Sequence, residues 1–173
     1  MNFLHGIPQC AVSVALEDEA GTLVGVVNDP FRREVFSAVR GEGATLDGRP
    51  ISVSAESEMQ RSLFVTGFAY DRATEAGRQY LHAVGAVLTA AQGIRRLGSA
   101  ALDFAWVACG RYEGYWEFNL APWDIAAGRL LVTEAGGTVT DSTGGVATAA
   151  DIVATNGHIH EGLRALVAAH RPA

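Results

Sequence analysis

The 173-residue chain has only two cysteines, Cys10 and Cys109. They lie far apart and form no C-x-x-C, which argues against a disulfide framework or a zinc site and makes a reducing compartment the default. Basic clusters are also missing. Arg32-Arg33 and Arg95-Arg96 are isolated pairs in a chain of net charge -6 and pI near 5.3. That balance argues against a nucleic-acid partner held by neutralising its phosphates. The N-terminus shows no basic region followed by a long apolar run, so no signal peptide is expected. No run reaches the length of a membrane span. The expectation is a soluble cytoplasmic protein with no membrane partner. There is no internal repeat, G-x-S-x-G, P-loop or dinucleotide fingerprint; Gly41-Glu-Gly43 leads into Ala-Thr-Leu and reads as a strand connection. The five histidines show no metal spacing, and His158 and His160 read as solvated.

What is present suits a single domain, 1–173, with apolar content of 49% for a sizeable core. Residues 1–55 read as an antiparallel meander. Cys10 to Leu16 alternates, with Val12, Val14 and Leu16 on one face and small Ala11, Ser13 and Ala15 on the other. The small face would let a helix or a second sheet approach closely. Leu23 to Val27 is nearly continuous apolar, Glu34 to Val39 alternates, and Asp47-Gly48 signals a hairpin. Residues 56–173 switch to mixed types. Strands are expected at Leu63–Thr66, Ile94–Leu97, Tyr115–Phe118, Thr138–Thr140 and Ile152–Ala154. Helices are expected at Glu75–Gln92, Ala100–Cys109, Asp124–Glu134 and His158–Ala169. The 142–150 stretch, rich in Gly, Thr and Ala, reads as the most mobile loop. The fold class is α/β, an α+β layered sandwich: an antiparallel N-terminal sheet plus a C-terminal sheet flanked by helices.

One stretch carries the chemistry. Gly114-Tyr-Trp-Glu117 followed by Ala121-Pro-Trp-Asp124-Ile-Ala-Ala-Gly128 puts two carboxylates at a strand end and a helix start, among aromatics. Carboxylates there can hold a hard cation and a polyhydroxyl substrate. Each residue also has a plainer reading. Asp124 suits a helix N-cap. Glu117 could be a solvated edge charge. Ser99 could simply cap the next helix, although the free N–H groups at that helix start could bind a hydroxyl or an anion. Asp103 reads as structural, and Tyr115, Trp116 and Trp123 as core and pocket wall. Glu134 sits at the unfavourable end of its helix dipole and calls for a specific partner.

Several stretches in order resemble the inositol monophosphatase family. They are Leu97-Gly-Ser-Ala-Ala-Leu-Asp103, Ala108-Cys-Gly-Arg-Tyr-Glu-Gly-Tyr-Trp-Glu117, Pro122-Trp-Asp-Ile-Ala-Ala-Gly128 and Thr133-Glu-Ala-Gly-Gly137. Upstream, Asn2-Phe3-Leu-His-Gly-Ile-Pro8, Gly25-Val-Val-Asn-Asp-Pro30 and Gly41-Glu-Gly-Ala-Thr-Leu-Asp-Gly48 fit too. The resemblance covers essentially the whole chain. It implies a Mg²⁺-dependent phosphomonoesterase, usually a homodimer, that acts on a small sugar or polyol phosphate through metal-activated water. It implies that Asp124 ligates metal on the leaving-group side, that Glu117 bonds the sugar hydroxyls, and that the Ser99–Ala100 turn contacts the same ring. Thr66 to Tyr70 falls where a substrate-lining loop lies.

The departure is that the family's paired glutamates and its Asp-Pro-x-Asp-Gly-Thr motif precede the position of Asn2 and are absent here. Of the metal ligands only Asp124 is present, and one carboxylate cannot hold a Mg²⁺ pair in defined geometry. The leading expectation is an inositol-1-phosphate-type phosphatase present as its C-terminal portion, weak or inactive alone. The competing expectation is a catalytically dead remnant serving as an interaction or dimerisation module. Alternative substrates are fructose bisphosphate, histidinol phosphate or a nucleotide 3′-phosphate; Glu117 favours a neutral polyol over a second anionic group.

Overall fold

The computed structural model describes residues 1–68 and 73–171. Five strands form a meander in spatial order β1-β2-β3-β4-β5: β1 Val12–Asp18, β2 Gly21–Asp29, β3 Glu34–Val39, β4 Gly43–Leu46 and β5 Arg49–Pro50. All pairs are antiparallel. Asp47 and Gly48 both take positive φ, 51° and 75°, and join β4 to β5 across the Leu46–Arg49 pair. That is the two-residue hairpin an Asp-Gly step favours.

The register sorts the strand faces. Val14 pairs with Val26, which pairs with Ser37; on the opposite face Ala15 pairs with Gly25, which pairs with Ala38. The small-residue face points inward, onto helix α3, Pro122–Glu134. A Cβ at Gly25 would lie 2.9 Å from the backbone Cα and O of Ala127, so the absence of a side chain there sets how closely α3 meets the sheet. The other face stays uncovered: Val12, Val14 and Leu16 are 57%, 60% and 59% exposed.

The second sheet has order β7-β6-β8-β10-β9, from β6 Leu63–Thr66, β7 Gly93–Arg95, β8 Gly114–Phe118, β9 Thr138–Thr140 and β10 Asp151–Thr155. β6 runs parallel to both β7 and β8, whereas β10 is antiparallel to β8 and β9. Helices α2 (Ala100–Ala108) and α3 lie between the two sheets, around Phe36, Leu102, Phe104, Tyr115, Leu131 and Ile152. Helices α1 (Glu75–Ala90) and α4 (His160–Ala168) cover the far face over Phe64, Trp116, Val153 and Leu163. The Thr74 hydroxyl caps α1 by accepting from the Gly77 N–H at 3.1 Å. The layers are therefore sheet, helix pair, sheet, helix pair.

Several sequence-based readings need correction. His160 is buried rather than solvated, and its two ring nitrogens contact the Thr155 and Thr140 hydroxyls at 2.9 Å each. Trp123 is 74% exposed and belongs to no core, although it does line a depression, as its pocket-wall reading has it. Helix α3 begins at Pro122, not Asp124, because proline suits the first turn, where its missing N–H is no loss. At the start of the 142–150 loop Ser142 donates from both N–H and hydroxyl to Asp151, at 3.0 and 2.6 Å, which leaves the mobility expected of the rest untested. Glu134 has the partner its position calls for, since its carboxylate accepts the N–H groups of Gly41 and Gly43 at 2.8 and 2.9 Å and holds the β3–β4 turn.

Candidate functional site

The site forms where two parallel strands end. Thr66 of β6 pairs with Trp116 of β8, so Gly67 and Glu117 follow side by side at the carboxyl ends. Open α/β sheets form ligand crevices at that edge. Helices α2 and α3 both start there, and their N-terminal N–H groups make the region favourable to anions. A cavity of about 490 Å³ opens between them, lined among others by Phe68, Arg96, Ser99, Ala100, Glu117 and Asp124. A neighbouring depression of about 380 Å³ shares Ser99, Ala100 and Asp124 and adds Asn2, Cys10 and Trp123.

All four residues singled out from sequence meet in this cavity. Asp124 is the third residue of α3, not its cap; its Oδ2 accepts the Ala121 N–H at 3.0 Å. This is half of a capping box, because the alanine side chain has no acceptor to return the bond. Among the described residues nothing donates to Oδ1. Ser99 occupies the N-cap position of α2, but its hydroxyl makes no capping bond. The turn before it is held instead by Asn2, whose Nδ2 donates to the carbonyls of Gln9 and Leu97 at 2.8 Å each.

Glu117 is largely buried, not a solvated edge charge. Burial pushes its carboxyl above the usual range, opposed by the Tyr115 hydrogen bond and the Arg96 charge and reinforced by Asp124. The Tyr115 hydroxyl donates to Oε2 at 2.7 Å. Arg96 lies over the Phe68 ring, 5.7 Å from its centroid, and supplies positive charge at the rim. Beneath this layer Asp103 is 1% exposed, and neither carboxylate oxygen has a hydrogen-bond partner among the described residues. Burial pushes its carboxyl well above the usual range.

Sequence reading missed three contributors. Tyr115 reads as core and pocket wall, and it is core, yet it is also the donor to Glu117; the i, i+2 spacing on one strand face is the available signal. Arg96 and Asn2 carry no local signal, because only the fold brings them here. Of the expected substrate-lining loop, Thr66, Gly67 and Phe68 are described, while Ala69 and Tyr70 lie outside the described residues.

The donor set does not by itself fit a Mg²⁺ site. No group of three or more His, Cys, Asp or Glu among the described residues is placed to hold a metal ion. Asp124 offers one oxygen not engaged in its helix, and Mg²⁺ requires an octahedral shell.

Comparison with known proteins places this geometry. The profile of the inositol monophosphatase family matches residues 1–171. An inositol-1-monophosphatase of Synechocystis sp. is 47% identical over 97% of this chain and 59% of its own length. The Nus factor SuhB of Escherichia coli is 45% identical over 83% of this chain and 54% of its own length. The structure of inositol monophosphatase from Anabaena superposes with a TM-score of 0.93 at 44% identity, covering 99% of this chain and 71% of that one. The chain thus spans somewhat more than half the length of these curated relatives.

Proposed function

The chain belongs to the inositol monophosphatase family, and on that premise we propose that its cavity binds the polyol part of a phosphate monoester that a metal-dependent phosphatase hydrolyses. The proposed substrate is inositol 1-phosphate or a similar sugar or polyol phosphate. The observation that carries this reading is the convergence of Glu117, Asp124 and the Ser99–Ala100 turn on one cavity at the ends of β6 and β8. Glu117 accepts hydrogen bonds from ring hydroxyls. The start of α2 offers N–H groups to the same ring. Asp124 presents Oδ1 toward the ester, where it can accept a hydroxyl or contribute one ligand to a metal. Mg²⁺ is the ion proposed, by resemblance, and it would supply charge neutralisation and an activated water. Because the residues present do not complete its shell, no step is assigned through it here. The proposed setting is a cytoplasmic homodimer.

The test is phosphate release from inositol 1-phosphate by the purified chain, with Mg²⁺ titrated and Asp124→Asn as control. Because the donors present do not complete a Mg²⁺ shell, release by the chain alone is expected to be weak; Mg²⁺-dependent release that is lost in Asp124→Asn, with the melting temperature nearly unchanged, would support the reading. Equal activity in the variant would remove Asp124 from the reaction.

A second reading, an interaction module without catalysis, is favoured by the uncovered β1 face. Three adjacent aliphatic side chains standing mostly in solvent on an edge strand invite a partner surface. The relatives named Nus factor SuhB are about as similar as those named as phosphatases.

A further inference from the structure

Glu117 is held from two sides, by Tyr115 within its own motif and by Gly67 at the end of β6. Tyr115 and Glu117 lie two apart on β8, so both project toward α2. Tyr115 is fully buried, and its ring packs edge-on against Phe104 with centroids 4.6 Å apart. The phenol therefore has little freedom, and its hydroxyl points at Glu117 Oε2 at 2.7 Å. On the other side Glu117 folds across the end of β6. A Cβ at Gly67 would overlap both carboxylate oxygens and Cδ, so the space that glycine leaves is the space the carboxylate fills. Gly67 is therefore needed here for its missing side chain. With Oε2 engaged by Tyr115, Oε1 is the oxygen to which no described residue donates, and it is the one offered to an incoming donor.

We propose that Tyr115 and Gly67 are specificity-determining positioning residues, which fix Glu117 so that the cavity selects phosphate esters bearing hydroxyls beside the ester. The inference rests on the polyol-phosphate reading of the cavity. A swinging carboxylate would lose orientational freedom on binding each hydroxyl, whereas one already fixed does not. An ester without neighbouring hydroxyls gains nothing from this arrangement. Selection between the two classes is then the quantity that Tyr115 controls. A loss of packing alone would lower both equally.

The experiment compares wild type and Tyr115→Phe on inositol 1-phosphate and on phenyl phosphate, which lacks hydroxyls. Phosphate release with Mg²⁺ is measured first. Calorimetric binding of the same two esters serves if turnover is below detection. Tyr115→Phe keeps the buried ring, and its melting temperature is recorded alongside; Gly67→Ala is the second variant. The expected result is a roughly tenfold weaker KM or Kd for inositol 1-phosphate in Tyr115→Phe, which is about 1.4 kcal/mol. Phenyl phosphate should stay within twofold and Gly67→Ala should show the same selective loss. Equal losses on both esters, or no loss on either, overturn the positioning role while leaving the cavity reading intact. A wild type that neither hydrolyses nor binds either ester overturns the cavity reading, and this inference with it.

Discussion

Replacing Asp103 by asparagine should make the protein more stable at neutral pH, and by an amount that grows with pH. The carboxyl is 1% exposed and unpartnered among the described residues. Its folded-state pKa is raised first by burial and then by the nearby Glu117 charge, with Arg96 opposing. In the unfolded chain it titrates near its ordinary value of 3.8. Above that pH the folded state binds a proton that the unfolded state has released. Stability is therefore fully present below about pH 4 and declines as pH rises toward the folded pKa. Within that window the slope is about 1.4 kcal/mol per pH unit for one proton. For a domain of this size that is roughly 3–6 °C of melting temperature per pH unit. Asparagine has nearly the same shape and no such proton. Calorimetric melting of wild type and Asp103→Asn, run in half-unit steps from pH 4 to pH 7, reads the difference directly. Groups that do not interact with Asp103, His160 among them, largely cancel in that difference. Two curves that stay parallel over the whole range would refute the reasoning, and so would an asparagine variant whose disadvantage widens with pH.

Two further outcomes follow from the first sheet. Gly25→Ala drives a methyl to 2.9 Å from the Ala127 backbone, which cannot swing aside, so α3 must shift from the sheet. A loss of about 1–3 kcal/mol in urea unfolding is expected, and an unchanged midpoint would contradict the close approach of β2 and α3. Val14→Asp, at a position 60% exposed, should leave unfolding stability within about 0.5 kcal/mol. It should also reduce self-association and apolar-dye binding if the β1 face recruits a partner. A wild type that is already dye-silent and monomeric by sedimentation would count against that surface role.

The same residues show how far sequence patterns reach. Alternation in 10–16 and the Asp47-Gly48 step are local signals, set by strand pleat and turn sterics, and both survive into the structure. So do the helix end at Glu134, the end of α2 within one residue of Cys109, and the strand at Glu34–Val39. The two carboxylates were legible because their motifs are contiguous, and the structure adds that their cavity is shared. Boundaries slipped where a side chain has two uses: Asp124 can cap a helix, yet Pro122 takes the first turn and leaves Asp124 at the third position. His160 looked solvated because nothing near it in sequence says that Thr140 and Thr155 will close on its ring. Glu134 announced an unmet need by its place at a helix end, but only the docking of α3 on the meander brings the N–H groups of Gly41 and Gly43 within reach.

Local spacing and propensity act over a few residues, and within that range the chain dictates its strands, helices, turns and the two carboxylate motifs. Burial and long-range pairing act between segments. They alone placed Gly67 under Glu117, Asn2 beneath the Ser99 turn and Asp103 where no described residue bonds its carboxylate. A residue's chemical type is written in sequence. Its solvation, its charge state and the atoms it meets depend on which distant segment the folded chain sets beside it.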